Sequence, residues 1–125
     1  MSSKSLWGDL SQIERVRSPR TILLEQAQYL TEVTKGALVG SVSDEIYPGR
    51  FRYYLVVEVP VLNSYRVTVL TAEHDVDLYP VRIKADRAKI DVTCHGETEF
   101  ENVVGSVLSS PAIKTMLSRL LSQLT

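Results

Sequence analysis

From Phe51 to Val59 every second residue is apolar: Phe51, Tyr53, Leu55, Val57 and Val59 face one way, while Arg52, Tyr54, Val56 and Glu58 face the other. A period of two is the signature of a β-strand, because successive side chains point to opposite faces of a sheet. One apolar face means one buried face. Such a strand is not stable alone: it needs strand neighbours and a layer over its apolar side. The rest of the chain must supply both.

The flanking segments supply the neighbours. Leu38, Gly40 and Val42 alternate with Val39 and Ser41, which predicts a strand over 37–46, and Tyr47-Pro48-Gly49 reads as the turn that follows. After Val59, Pro60 to Ser64 forms a connection with Asn63-Ser64 as its turn residues. Tyr65, Val67 and Val69 then alternate against Arg66, Thr68 and Leu70. Connections this short favour antiparallel neighbours. Glu73-His74-Asp75 is a polar break. A fourth extended segment runs from Val76 to Lys84, and Pro80 within it points to a sheet edge. Asp86-Arg87 is a turn, and Lys89 to Cys94 is a fifth strand with Ile90, Val92 and Cys94 on one face.

Helical periods before and after these strands supply the cover. Ser18-Pro19 is a helix start, serine as N-cap and proline at the first helical position. Ile22, Leu23, Ala27, Leu30 and Val33 follow as one stripe with Tyr29 beside it, and Lys35-Gly36 ends the helix. Thr98-Glu99-Phe100-Glu101 matches a capping box, leading into Phe100, Val103, Val104, Val107 and Leu108. Ser109-Ser110-Pro111 starts a last helix with Ile113, Met116, Leu117, Leu120, Leu121 and Leu124 as its stripe. The expected fold class is α+β: a single antiparallel sheet of about five strands in a meander, order α-βββββ-αα. One N-terminal helix and two C-terminal helices pack on one face. Residues 1–17 are expected as a partly ordered N-terminal arm and 18–125 as a single α+β domain. In the arm, Trp7, Leu10 and Ile13 are spaced three apart, and the indole favours docking on the core.

Bulk properties narrow the function classes. The 125 residues suffice for one self-sustaining core, and the single cysteine, Cys94, cannot build a disulfide framework. Fourteen basic residues against fifteen acidic ones leave a net charge of −1, so no clustered basic surface is expected and nucleic acid is not an expected partner. The longest uninterrupted apolar run noted, Leu55-Val56-Val57, is far short of a membrane span, and no signal-like apolar run follows Met1. The expectation is a cytoplasmic protein with no membrane partner. The succession of Trp7-Gly-Asp-Leu10, a Ser-Pro-led helix, a strand meander and a Ser-Ser-Pro-led helix resembles many small bacterial single-domain proteins, a likeness that transfers no residue's role.

No motif specifies a reaction. Cys94-His95-Gly96-Glu97 invites a thiolate reading, but neighbours on a strand diverge, and Cys94 shares the parity of Ile90 and Val92. His74 and His95, with Asp75, are the weak catalytic alternative, should two strand ends converge. Glu73-His74-Asp75 and Asp77 lack metal-ligand histidine spacing, so no metal is expected; a carboxylate-only magnesium site would draw on Asp75, Asp77, Asp86 and Asp91. Asp77 to Lys84 lacks the second acid of a nuclease strand, since Arg82 stands there. Gly36-Ala-Leu-Val-Gly40 leads into a strand and lacks the Lys-Ser/Thr of a phosphate loop, so no cofactor is expected. Arg50, Arg52 and Arg66 among aromatics suit single-stranded nucleic acid less well than ordinary outer-face pairing. The outer face, with Arg52, Tyr54 and Arg66 and an adhesive patch of Tyr54, Val56 and Leu70, is one expected binding surface. The last helix, through Leu120 and Leu124, is another. The expected function is a protein-binding or assembly module, of adaptor, immunity or chaperone type, with self-association as one form. The alternative is a small enzyme with an acid–base or metal site near residues 73–97.

Overall fold

The computed structural model describes residues 4–124. The element order is α1 (Pro19–Val33), β1 (Val39–Tyr47), β2 (Arg50–Val59), β3 (Tyr65–His74), β4 (Val81–Ala85), β5 (Ile90–Cys94), α2 (Glu97–Leu108) and α3 (Pro111–Ser122). The five strands form one antiparallel meander in the order β1-β2-β3-β4-β5. All three helices contribute buried residues to the core on one face of it. The fold class is therefore the one expected from the alternating periods.

Local chemistry explains the boundaries. The Ser18 Oγ accepts from the Thr21 N–H at 3.1 Å ahead of Pro19, and the Ser110 Oγ accepts from the Ile113 N–H at 3.3 Å ahead of Pro111. At the end of α1, the Gly36 N–H donates to the Thr31 carbonyl (2.9 Å) and the Lys35 N–H to the Glu32 carbonyl (3.1 Å). This paired closure needs a left-handed residue after the helix, and Lys35 (φ 52°) takes that place with Gly36 (φ 82°) behind it. The Thr34 hydroxyl donates to the Leu38 carbonyl and accepts from the Leu38 N–H, fixing the turn into β1. Beyond the turn, α1 and β1 come into backbone contact: a Cβ on Gly40 would lie 2.4 Å from the Ala27 carbonyl oxygen. Only glycine fits there.

Several expectations are corrected. β4 begins at Val81, directly after Pro80, so Val76 to Pro80 is not strand, and β4 lies between β3 and β5 instead of at a sheet edge. The start of α2 lies at Gly96 instead of Thr98. Gly96 is the N-cap without a side-chain bond, and Glu99 reaches back to accept from the His95 N–H. In β3 a bulge intervenes: Leu55 pairs with Leu70 but Val56 with Thr68, leaving Val69 as the extra residue. A bulge resets the alternation. Leu70, Ala72 and His74 consequently turn inward, and Leu70 belongs to the core, not to the outer-face patch. The arm residues do not pack on their own domain: Trp7 is 81% exposed. Arg17 ties the root of the arm to the helices, through ion pairs to Glu25 of α1 and Glu101 of α2.

Candidate functional site

The outer face of the sheet carries an ion-pair network around Arg50, Arg52 and Glu73. Glu73 accepts from Arg50 Nε at 2.9 Å and from Arg52 Nη2 at 3.2 Å. Arg52 also reaches Glu45 at 3.2 Å and lies over the Tyr47 ring, 5.4 Å from its centroid. The Tyr47 hydroxyl donates to Glu45 (2.6 Å), and Arg82 makes two bonds to Asp91 (2.9 and 2.7 Å). Partial burial works to raise the Glu73 carboxyl, but the bonds from Arg50 and Arg52 outweigh it and hold the group below the usual carboxylate value. The Glu45 carboxylate beside Tyr47 pushes that phenol up to about 12. Of the sequence-derived binding residues, Arg52 and Tyr54 sit inside this network, while Arg66 is exposed opposite Glu58 on the β2–β3 ladder. Guanidinium groups already held by carboxylates offer little to an incoming phosphate or acid.

The histidines are not brought together. His74 lies on the core face of β3, 2% exposed, stacked on Phe51 (5.3 Å between centroids, 18°) and tilted against Tyr53. Its Nδ1 is 2.5 Å from the Asp75 carbonyl, and its buried Nε2 has no partner. Because the Asp75 carbonyl can only accept, the Nδ1–H is the donor. His95 is exposed just past Cys94, which pairs with Val81 of β4. β4 lies between the strands that carry the two histidines, so β3 and β5 are two inter-strand steps of about 4.8 Å apart. The Asp75 carboxylate caps its own turn, accepting from the Asp77 N–H at 2.8 Å. Cys94 is fully buried, and burial pushes its thiol up, away from a reactive thiolate. Among the described residues, no three His, Cys, Asp or Glu side chains are grouped to hold a metal ion.

The helix-covered face is different in kind. α1 packs Ile22, Leu23 and Ala27 into the core, but its apolar stripe continues beyond the cover: Leu30 is partly buried, Tyr29 is exposed, and Val33 is 80% exposed. Opposite it, α3 turns Ile113, Met116 and Leu120 inward, leaves Leu117 at the margin and exposes Leu121. Leu120 and Leu124 are therefore core-facing or core-packed, and Leu121 takes the exposed place on the last helix. Between the two helices lies an open groove of about 240 Å³. Leu55, Val57 and the bulged Val69 line it from the sheet, Leu108 from the end of α2, and Gln26 is the polar side chain at its margin. A second, smaller cleft along the α1–α2 seam shares Gln26 and Leu108 with the groove and ends at Arg17. The two clefts are thus neighbours, one near the root of the arm and the other along the second half of α1.

Sequence reasoning missed this groove. Its residues are those of ordinary core stripes, and only Tyr29, lying beside the α1 stripe, hints that the apolar surface is wider than a core contact needs. The chain matches no known protein family, and no curated protein or solved structure is similar to it. Among the described residues no helix is long and apolar enough to cross a membrane.

Proposed function

We infer that the protein is a polypeptide-binding or assembly module whose binding site is the apolar groove between α1 and α3. The observation that carries this reading is the uncovered end of the α1 stripe: Leu30 and the exposed Tyr29 and Val33 line an open apolar groove. Contiguous apolar surface with a concave shape gains free energy when an apolar segment displaces water from it, at about 25 cal/mol per Å² covered. A groove between helices over a sheet suits an amphipathic segment that inserts side chains at intervals of three and four residues. The outer face lacks this property because its clefts are lined mainly by polar and charged side chains, among them Arg52, Arg66, Arg82 and Lys84.

The reading is tested with tagged full-length chains incubated with extract of the source cells. The parent chain and the Arg82→Glu variant, altered on the outer face, should recover a common polypeptide. The Val33→Asp variant, altered at an exposed groove position that tolerates charge without unfolding, should not. Equal recovery by all three chains, or by none, overturns the reading.

A further inference from the structure

The arm that enters this domain carries an apolar surface of its own with nothing covering it. Leu6, Trp7, Leu10, Ile13 and Val16 are between 52% and 91% exposed. Five large apolar side chains within one short segment are not the scattered apolar exposure of an ordinary surface. They recur at intervals of one, three, three and three, and Leu6, Leu10 and Ile13 have the spacing that places side chains on one helical face. A single helical turn already exists at Leu10–Gln12, where the Asp9 carboxylate accepts from the Ser11 N–H at 3.0 Å. The molecule thus contains both an unoccupied apolar groove and an unhoused apolar segment.

The arm is long enough to span the groove. Gln26 to Val33, the α1 wall of the groove, covers roughly 12 Å at 1.5 Å per residue, and Leu6 to Val16 covers about 16 Å as helix. The arm's own domain does not invite it back. Ser18 precedes a proline and is held extended (φ −78°, ψ 161°), as a residue in that place must be. Arg17 is pinned between Glu25 and Glu101 across the α1–α2 seam. Glu14 to Arg17 contains no Gly, Pro, Asn, Asp or Ser, so the reversal needed to lay the arm along α1 has no turn chemistry to make it. A second copy meets no such obstacle.

We propose that the groove between α1 and α3 receives the apolar part of the N-terminal arm, Leu6 to Val16, of a second copy of this chain. Reciprocal exchange of two arms into two grooves is a closed two-fold arrangement, which fills both sites and stops at the dimer. The proposal rests on the groove being a docking site and adds the identity of its occupant.

Trp7 is the chain's single tryptophan, so its fluorescence reports the arm alone. The purified full-length chain is followed over a dilution series by emission wavelength and by light-scattering mass. The expected result is blue-shifted emission with twice the monomer mass when concentrated, both reverting together on dilution. Leu10→Asp on the arm and Val33→Asp in the groove should each give a red-shifted monomer at every concentration. Blue-shifted emission in a monomer at all dilutions means that the arm docks on its own domain, and it overturns the proposal. Red-shifted emission with monomer mass throughout overturns it too, while the groove's binding of another polypeptide stays measurable by the recovery experiment above. A dimer that persists in both Asp variants places the interface elsewhere and overturns it equally.

Discussion

The two halves of α1 carry one apolar stripe and meet opposite fates. In the first half, Pro19, Ile22 and Leu23 are buried, and just past the midpoint the backbone at Ala27 touches Gly40 of β1 so closely that no side chain fits between them. In the second half, Leu30 and Val33 continue the same stripe with no helix across from them near enough to close the space. The difference teaches that an apolar stripe states a need for cover but not its source. Close packing within the chain satisfies the first half; the second half retains the need, and that is the property of a binding surface.

The comparison can be broken by stability measurements, since the first half should be costly to alter and the second cheap. Leu23→Ala removes a fully buried side chain and should cost about 2–5 kcal/mol in denaturant unfolding. Gly40→Ala forces α1 and β1 apart and should cost about 1–3 kcal/mol, with loss of compactness along that seam. Ser18→Ala deletes the cap of the buried half and should cost about 1 kcal/mol. Val33→Ser in the exposed half should change the stability of the dilute chain by less than about 0.5 kcal/mol. A cost for Val33→Ser equal to that for Leu23→Ala would erase the distinction between the halves.

The outer face sharpens the contrast from another side, through pH. The Glu73 carboxyl is held low in the folded chain by Arg50 and Arg52, so its contribution is fully present above the ordinary carboxylate value of 4.5. That contribution is lost as pH falls through the lower folded value. Glu73→Gln should therefore flatten part of the fall in stability below about pH 4.5 and cost under about 1 kcal/mol at neutral pH. Groove variants should leave that acid limb unchanged.

Much of the fold was legible in the sequence because its punctuation is chemical. Ser18-Pro19 and Ser110-Pro111 cap and start their helices as such pairs do, and the alternation from Phe51 to Val59 fixes the face of β2. The start of α2 was misplaced because two overlapping patterns exist, and the extended Gly96, not Thr98, takes the cap. The bulge at Val69 was invisible because Val69 and Leu70 are both apolar, so neither residue signals which way it points. Pro80 pointed to an edge strand, but β4 begins after the proline and is paired on both sides, by β3 and β5, because the residue that lacks an N–H lies outside the ladder. The groove escaped for a deeper reason. Periodicity along one helix records which residues avoid water and says nothing about whether α3 closes over them.

The central claim is that the second half of α1 is a docking face and the first is not. A photoactivatable crosslinker placed at Val33, and separately at Leu24 on the exposed side of the first half, tests it on one helix with one chemistry. The account predicts a crosslinked polypeptide from Val33, mapped to the groove on this chain, and none from Leu24. Equal crosslinking from both positions, or capture from Leu24 alone, would contradict it.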